Sequence, residues 1–268
     1  MGKKILSLLL AVAVMTSVFT TAIAISVSDS ETATSFADDW SKWSANHKSG
    51  YCGKANADEH GYNVMYSAGG SDKNSFTYAD TLDLGDKFDF GYKVTLSPAW
   101  GSQHKGLSYT VKIGELSVIM AGNEAGSQLT LSAEYNGQTV ISSGKTLTPD
   151  TSSAVITAVE SAAKAASGAA EPQFMTQLYD VSLKFENGTL TLYYAGEIYG
   201  SCVLSSYSFS KVQLSVLPSF VNFNRAAVFD ISGTKYTPKD IPDDEYVLPY
   251  YEKDSIFDMS ANKWTLSK

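Results

Sequence analysis

From Lys87 onward the chain alternates apolar and polar residues with a period of two. In "KFDFGYKVTLS" the residues Phe88, Phe90, Tyr92, Val94 and Leu96 fall on one face, and mostly polar partners fall on the other. "GLSYTVKIG" repeats the pattern with Leu107, Tyr109, Val111 and Ile113. "LSVIMA", "LTLSAEYNGQTVIS", "YDVSLKFENGTLTLYYAGE", "SKVQLSVL" and "AAVFDISG" continue it. Turn residues separate these runs: Pro98 to Gly101, Asn136-Gly137, Asn187-Gly188 and Gly196. Many alternating strands with one apolar face each predict an all-β protein, two antiparallel sheets stacked as a sandwich.

One hairpin can be registered from sequence. With Asn187-Gly188 as a two-residue type I′ turn, Glu186 faces Thr189 and the pairs follow outward. Phe185 then faces Leu190, Leu183 faces Leu192 and Val181 faces Tyr194, all on one side. On the other side Lys184 faces Thr191, Ser182 faces Tyr193 and Asp180 faces Ala195. A slip of one residue would turn the apolar set into water, so the register is strongly held. The adjacent tyrosines therefore separate. Tyr194 belongs to the core, and Tyr193 stands on the polar face.

"PDTSSAVITAVESAAKAASG", residues 149–168, breaks the β pattern. It is alanine-rich, with Val155, Val159 and Ala163 at i+4 spacing, Asp150, Thr151 or Ser152 able to cap its start and Gly168 its end. It predicts a short surface helix inserted between two strands, as a connector between the sheets in preference to a lid over a ligand. After Tyr236 the stretch 238–254 holds prolines and clustered acids and reads as an acidic linker or extended wrap. In "FDMSANKWTLSK", residues 257–268, Phe257 and Trp264 have the spacing of Phe36 and Trp43 in "FADDWSKWSAN". Either the likeness is chance or residues 255–268 begin a second copy of the domain at 25–237.

The first 24 residues stand apart. Lys3 and Lys4 precede an apolar run from Ile5 to Val14, and Ala22-Ile23-Ala24 has the small-residue pattern of a cleavage site. This predicts a secretory signal peptide, residues 1–24, in preference to an uncleaved anchor. No other stretch approaches the ~20 apolar residues of a membrane span. Export places the mature chain outside the cell or on its surface, with no membrane insertion once the leader is gone.

The net charge is −8, and removal of Lys3 and Lys4 takes it to about −10. Such a surface disfavours nucleic acid and anionic membranes. Arg225 is the sole arginine, which all but excludes guanidinium clamps on phosphates or carboxylates. Cys52 and Cys202 are the only cysteines; in an exported chain they form one disulfide or remain as two separate buried thiols. His47, His60 and His104 are scattered, without metal-ligand spacing.

The entry "FADDWSKWS", the pair "LDLGDKFDFGYKVTLS" and "GLSYTVKIGELSVIM", the hairpin "YDVSLKFENGTLTLYYAGE" and the closing "AAVFDISG" together resemble a bacterial secreted jelly roll of the concanavalin A-like, laminin G-like superfamily. The likeness spans roughly residues 36–233. It implies a two-sheet antiparallel jelly-roll sandwich, a fold that hosts lectins, glycosidases, lyases and adhesive spacers. It also implies a structural calcium near the first and last strands, where Asp38, Asp39 and Asp230 stand.

Catalytic patterns are missing. Jelly-roll glycosidases need two carboxylates flanking the scissile bond, and neither Glu-x-Asp-x-x-Glu nor Glu-x-Asp-x-Glu occurs. Glu115 and Glu134 lie alone and read as solvated surface acids. A lyase would need clustered Arg, His, Gln and Tyr, which one arginine does not furnish. A non-catalytic reading is therefore preferred. Carbohydrate binding asks less: an aromatic face for the sugar C–H groups and polar neighbours for its hydroxyls. Tyr193 beside Ser182, Thr191, Asp180 and Lys184 has that form. Trp100 in "SPAWGSQHKG", with Gln103 and His104 nearby, is the second candidate. Trp40, Trp43 and Trp264 are expected to plug the core at the domain entry. The expected partner is a weakly bound glycan, the alternative is a structural or adhesive repeat of a larger surface protein, and a glycosidase-like jelly roll comes third.

Overall fold

The structure is a computed structural model that describes residues 31–46, 51–68, 74–97, 106–123, 126, 128–167, 176–219, 225–239, 255–258 and 263–266. The chain divides into two units, residues 33–237 and residues 1–32 with 238–268. The expected leader, most of the expected linker, Trp100 and His104 lie outside the described residues. Among the described residues no helix is long and apolar enough to cross a membrane.

The larger unit is an antiparallel two-sheet jelly-roll sandwich. The first sheet runs, in spatial order, β13 (Glu197–Val203), β12 (Thr189–Tyr194), β11 (Gln177–Glu186), β6 (Lys87–Ser97), β15 (Arg225–Pro238), β4 (Val64–Ala68) and β3 (Tyr51–Ala55). A further strand, β1 (Glu31–Phe36), also pairs with β15. The second sheet runs β10 (Gln138–Thr146), β9 (Leu129–Tyr135), β8 (Leu116–Gly122), β7 (Ser108–Ile113), β14 (Val212–Ser219), β5 (Ser75–Leu82) and β2 (Trp43–Asn46).

Alternation places the inner faces as the sequence predicts. Phe88, Phe90, Tyr92, Val94 and Leu96 are all buried, and Leu107, Tyr109, Val111 and Ile113 meet them from the opposite sheet. Phe209 packs between Phe88 and Phe185, with ring centroids 4.9 and 4.7 Å away. The β11–β12 hairpin has the predicted register at every pair from Val181–Tyr194 to Glu186–Thr189. Asn187 (φ 48°) and Gly188 (φ 84°) supply the two positive φ angles that a type I′ turn requires. Tyr194 faces inward and is half-buried against the core, its hydroxyl donating to the Thr148 carbonyl.

The predicted helix is α2 (Ala154–Ser167), between β10 of one sheet and β11 of the other. It starts later than the cap candidates in sequence because Asp150 is tied by an isolated bridge to Leu178 and its carboxylate accepts from Ser152. Ser153 stands directly before the first turn, its hydroxyl accepting from the Val155 amide. The helix buries Ile156, Val159, Ala162 and Ala163 against Tyr66, Ala227 and Phe229 on the outer face of the first sheet. Small residues bring the two close: a Cβ on Gly53 would lie 2.1 Å from the Ala166 carbonyl oxygen. A single turn, α1 (Ala57–His60), precedes β4 and closes with Gly61 at φ 78°.

Strand β15 contains a bulge. Phe229 pairs with Lys93 and Ser232 with Gly91, so Asp230 and Ile231 together face Tyr92, and Asp230 takes a left-handed φ of 49°. Before the bulge Ala227 and Phe229 point outward under the helix; after it Ile231 points to the inner core, and Ser232 joins Gly91 on the outer face.

The cysteines are both free thiols. Cys52 lies on β3 and Cys202 on β13, opposite edges of the first sheet. Six inter-strand spacings separate those edges, about 29 Å at ~4.8 Å each, whereas a disulfide needs Cα atoms within about 7 Å. The disulfide alternative is thus corrected.

In the other unit, β16 (Ser255–Asp258) and β17 (Lys263–Leu266) form a hairpin that places Phe257 opposite Trp264. In the sandwich, Phe36 ends a strand of the first sheet and Trp43 opens a strand of the second. The same spacing of Phe and Trp therefore serves two different local structures.

Candidate functional site

The helix covers only half of the outer face of the first sheet. The other half, formed by β12, β11, β6 and the last part of β15, carries no helix among the described residues, and its outward side chains are partly exposed. Its side chains follow from alternation: with Phe88, Phe90 and Tyr92 inward, Asp89, Gly91 and Lys93 must point outward. Register then aligns Tyr193, Ser182, Gly91 and Ser232 in one row across four strands. The next row is Thr191, Lys184, Asp89 and Thr234.

Gly91 is the low point. A Cβ there would meet the Ser182 Cβ at 3.5 Å and the Val181 carbonyl oxygen at 3.7 Å, both ordinary contacts. By contrast, a Cβ on Gly233 would drive into the Phe36 ring at 2.1 Å. Packing explains Gly233. It does not explain Gly91, which stands where the β15 bulge ends, and a mid-strand glycine of this kind marks a bulge or a surface that something else approaches. A cavity of about 380 Å³ lies over Gly91 and is lined by Tyr193, Ser182, Lys184, Asp89 and Thr234 among others.

The walls are held by their own hydrogen bonds. Lys184 Nζ lies 2.7 Å from Glu186, which also pairs with Lys87 at 3.2 Å. The hydrogen bond to Glu186 holds the Lys184 ammonium above its ordinary pKa, and bonds from Lys184 and Lys87 hold the Glu186 carboxyl below its own. Asp89 accepts from the Tyr236 hydroxyl at 2.8 Å. Tyr193 is half-buried, and the neighbouring edge strand places Ile198, 61% exposed, directly across from it. The row thus has apolar surface at its β12–β13 end and hydroxyls beyond it, which suits a polyol with C–H faces.

A second cavity of about 410 Å³ begins at Ser232, which lines both. Asp38, Trp40, Tyr62, Asn63 and Asp230 surround it. Trp40 sits on a 3-10 turn (Trp40–Lys42) and packs partly against the core, with Lys54 Nζ 5.7 Å from its ring centroid. Tyr62 stands edge-on to Phe229 with ring centroids 5.6 Å apart. Lys93 reaches Asp230 at 3.0 Å.

Of the residues expected from sequence, Tyr193 and Ser182 stand together in the first cavity. Thr191 is one row away, and its hydroxyl pairs with that of Ser201 at 3.1 Å. Trp43 is fully buried as expected, but Trp40 is only half-buried and borders a cavity, a correction to its reading as a core plug. Asp38 and Asp230 share that cavity. Asp39 does not join them: its carboxylate accepts from the Ser41 hydroxyl at 2.7 Å, which holds its pKa below the usual range, and it pairs with Lys42 at 3.6 Å. Among the described residues no three His, Cys, Asp or Glu side chains gather where they could hold a metal ion. Of the three aspartates expected near a calcium, Asp38 and Asp230 are the two that line one cavity. Sequence reasoning missed Gly91, Asp89, Ser232 and Thr234, although the alternation in "KFDFGYK" already carries the first two.

No protein-family model and no curated protein matches the chain by sequence. Solved structures do resemble it. The carbohydrate recognition domain of Emp47p is 15% identical, with a TM-score of 0.44 over 72% of this chain and 88% of that one. An alginate lyase of polysaccharide lyase family 7 is 9% identical, with a TM-score of 0.39 over 72% of this chain and 85% of that one. Sheep galectin-11, solved with glycerol, is 9% identical, with a TM-score of 0.33 over 58% of this chain and 94% of that one. At these identities and TM-scores the likeness transfers neither ligand nor activity.

Proposed function

We propose that the protein is a secreted, non-catalytic glycan-binding module, and that the half of the first sheet beyond the helix is its binding face. The observation that carries this reading is the row Tyr193–Ser182–Gly91–Ser232, in which an aromatic ring and hydroxyls surround a glycine that packing does not require. A sugar ring lies with its C–H face against Tyr193, and its hydroxyls bond to Ser182, Asp89 and Thr234. Trp100, in the segment of sequence that follows β6, remains a second candidate platform, and calcium a candidate structural ion.

A glycan-array and polysaccharide-binding screen of the purified chain, with and without calcium, tests the reading. Tyr193→Ala is expected to weaken the wild-type hit about tenfold, on the scale of a lost stacking contact, with circular dichroism unchanged. Binding that survives the substitution would move the site elsewhere. A second reading is an adhesive or structural repeat of a surface protein; it rests on the recurrence in sequence of the Phe and Trp spacing at Phe257 and Trp264, which there lies within one hairpin. Silence across every glycan would support that reading, and turnover of a labelled polysaccharide would raise the glycosidase.

A further inference from the structure

We infer that the two cavities are parts of one cleft whose ligand is an extended, uncharged polysaccharide chain, with Trp40 and Tyr62 as a second stacking platform. The inference rests on the glycan reading above. Three observations lead to it.

The first is continuity. Ser232 lines both cavities, so the hollow over Gly91 and the hollow beside Trp40 adjoin at one exposed side chain. The second is length. From Tyr193 on β12 to Ser232 on β15 the row crosses three inter-strand spacings, about 14 Å. A sugar ring is comparable to one spacing, so the first cavity alone takes roughly three rings, and the Trp40 cavity lies beyond it. Aromatic surface stands at both ends, Tyr193 at one and Trp40 with Tyr62 at the other, while hydroxyls and carboxylates occupy the middle. A single sugar would use one end and leave the other unfilled. Both far-end rings are fixed before any ligand arrives, Trp40 by Lys54 and the core and Tyr62 by Phe229, so ordering them adds little cost to binding.

The third is charge. Lys184 is the only cation among the described residues lining either cavity, and it is engaged by Glu186 at 2.7 Å. Lys93, at the junction, is engaged by Asp230. Asp89 and Asp38 add negative charge to the cleft. Lys54, over the Trp40 ring, donates to the Trp40 and Trp43 carbonyls. A carboxylated or sulfated chain would meet the like charges of Asp89 and Asp38 while Lys184 and Lys93 are already ion-paired, whereas neutral sugar hydroxyls find acceptors.

The test uses a length ladder, made by partial hydrolysis of whichever polysaccharide the intact chain retains, titrated calorimetrically. The expected result is affinity that rises with length until the chain spans both cavities. Trp40→Ala is expected to lower long-chain affinity about tenfold, to the level of short fragments. Because Trp40 touches the core and its replacement can loosen the entry, Ser232→Leu serves as a second variant. It changes only an exposed side chain at the junction and should remove the same length advantage. Flat dependence on length, or long-chain binding untouched by both substitutions, would overturn the extended cleft while leaving the glycan reading in place. Failure of the wild-type chain to bind any polysaccharide would remove both. Preferential binding of polygalacturonate at low salt would overturn the uncharged ligand.

Discussion

At the scale of single residues, Gly91 makes the sharpest prediction. A mid-strand glycine weakens a strand by about 0.5–1 kcal/mol relative to alanine, and here the added Cβ has room. Gly91→Ala is therefore expected to raise the melting temperature while filling the cavity floor and weakening the ligand. Opposed changes in stability and affinity are the signature of a residue kept small for what it admits. Equal affinity in the variant would remove Gly91 from the site. Much of this was legible in the chain. Tyr193 could be separated from Tyr194 because a two-residue turn and a period of two determine which face each takes. Gly91 could be put on a polar face, but not beside Ser182, because that adjacency is a pairing between β6 and β11, strands about ninety residues apart in sequence. Trp40 gave no signal, since its cavity arises where a 3-10 turn, a helical turn and a bulge meet.

At the scale of elements, the long helix decides which part of the sheet is available. Its buried stripe is made of small side chains, Ala162 and Ala163 beside Ile156 and Val159, so backbone lies close to backbone. Ala163→Leu should overpack this contact and cost about 1–3 kcal/mol, read as a lower midpoint in urea. Ala158→Leu makes the same chemical change on the exposed face of the helix and should cost almost nothing. Equal effects would mean that the helix does not dock as described. The sequence placed this helix as a connector between sheets, and so it is. Its start was misplaced because Asp150 bonds across to β11, a long-range contact that local capping preference does not contain.

At the scale of the whole molecule, the width of the first sheet keeps its two thiols apart. Reduction should leave the intact mass unchanged apart from any added label, and alkylation at pH 8 should be slow at both cysteines. Burial pushes the Cys52 thiol up to about 11 and raises that of Cys202 in the same direction, so the reactive thiolate is scarce at each, with Cys52 the slower. A mass shift on reduction would contradict the edge-to-edge placement. Strand β15 runs through both halves of the outer face and serves one environment under the helix and another beyond it. The extra residue at Asp230 and Ile231 works like a change of reading frame. Upstream of it the odd-numbered positions Ala227 and Phe229 are written for packing; downstream the even-numbered Ser232 and Thr234 are written for solvent and whatever arrives from it. A regular strand of the same sequence would turn Ser232 inward and Gly233 outward. Because the frames are separate, the half beyond the bulge can be rewritten without disturbing a letter of the half that holds the helix.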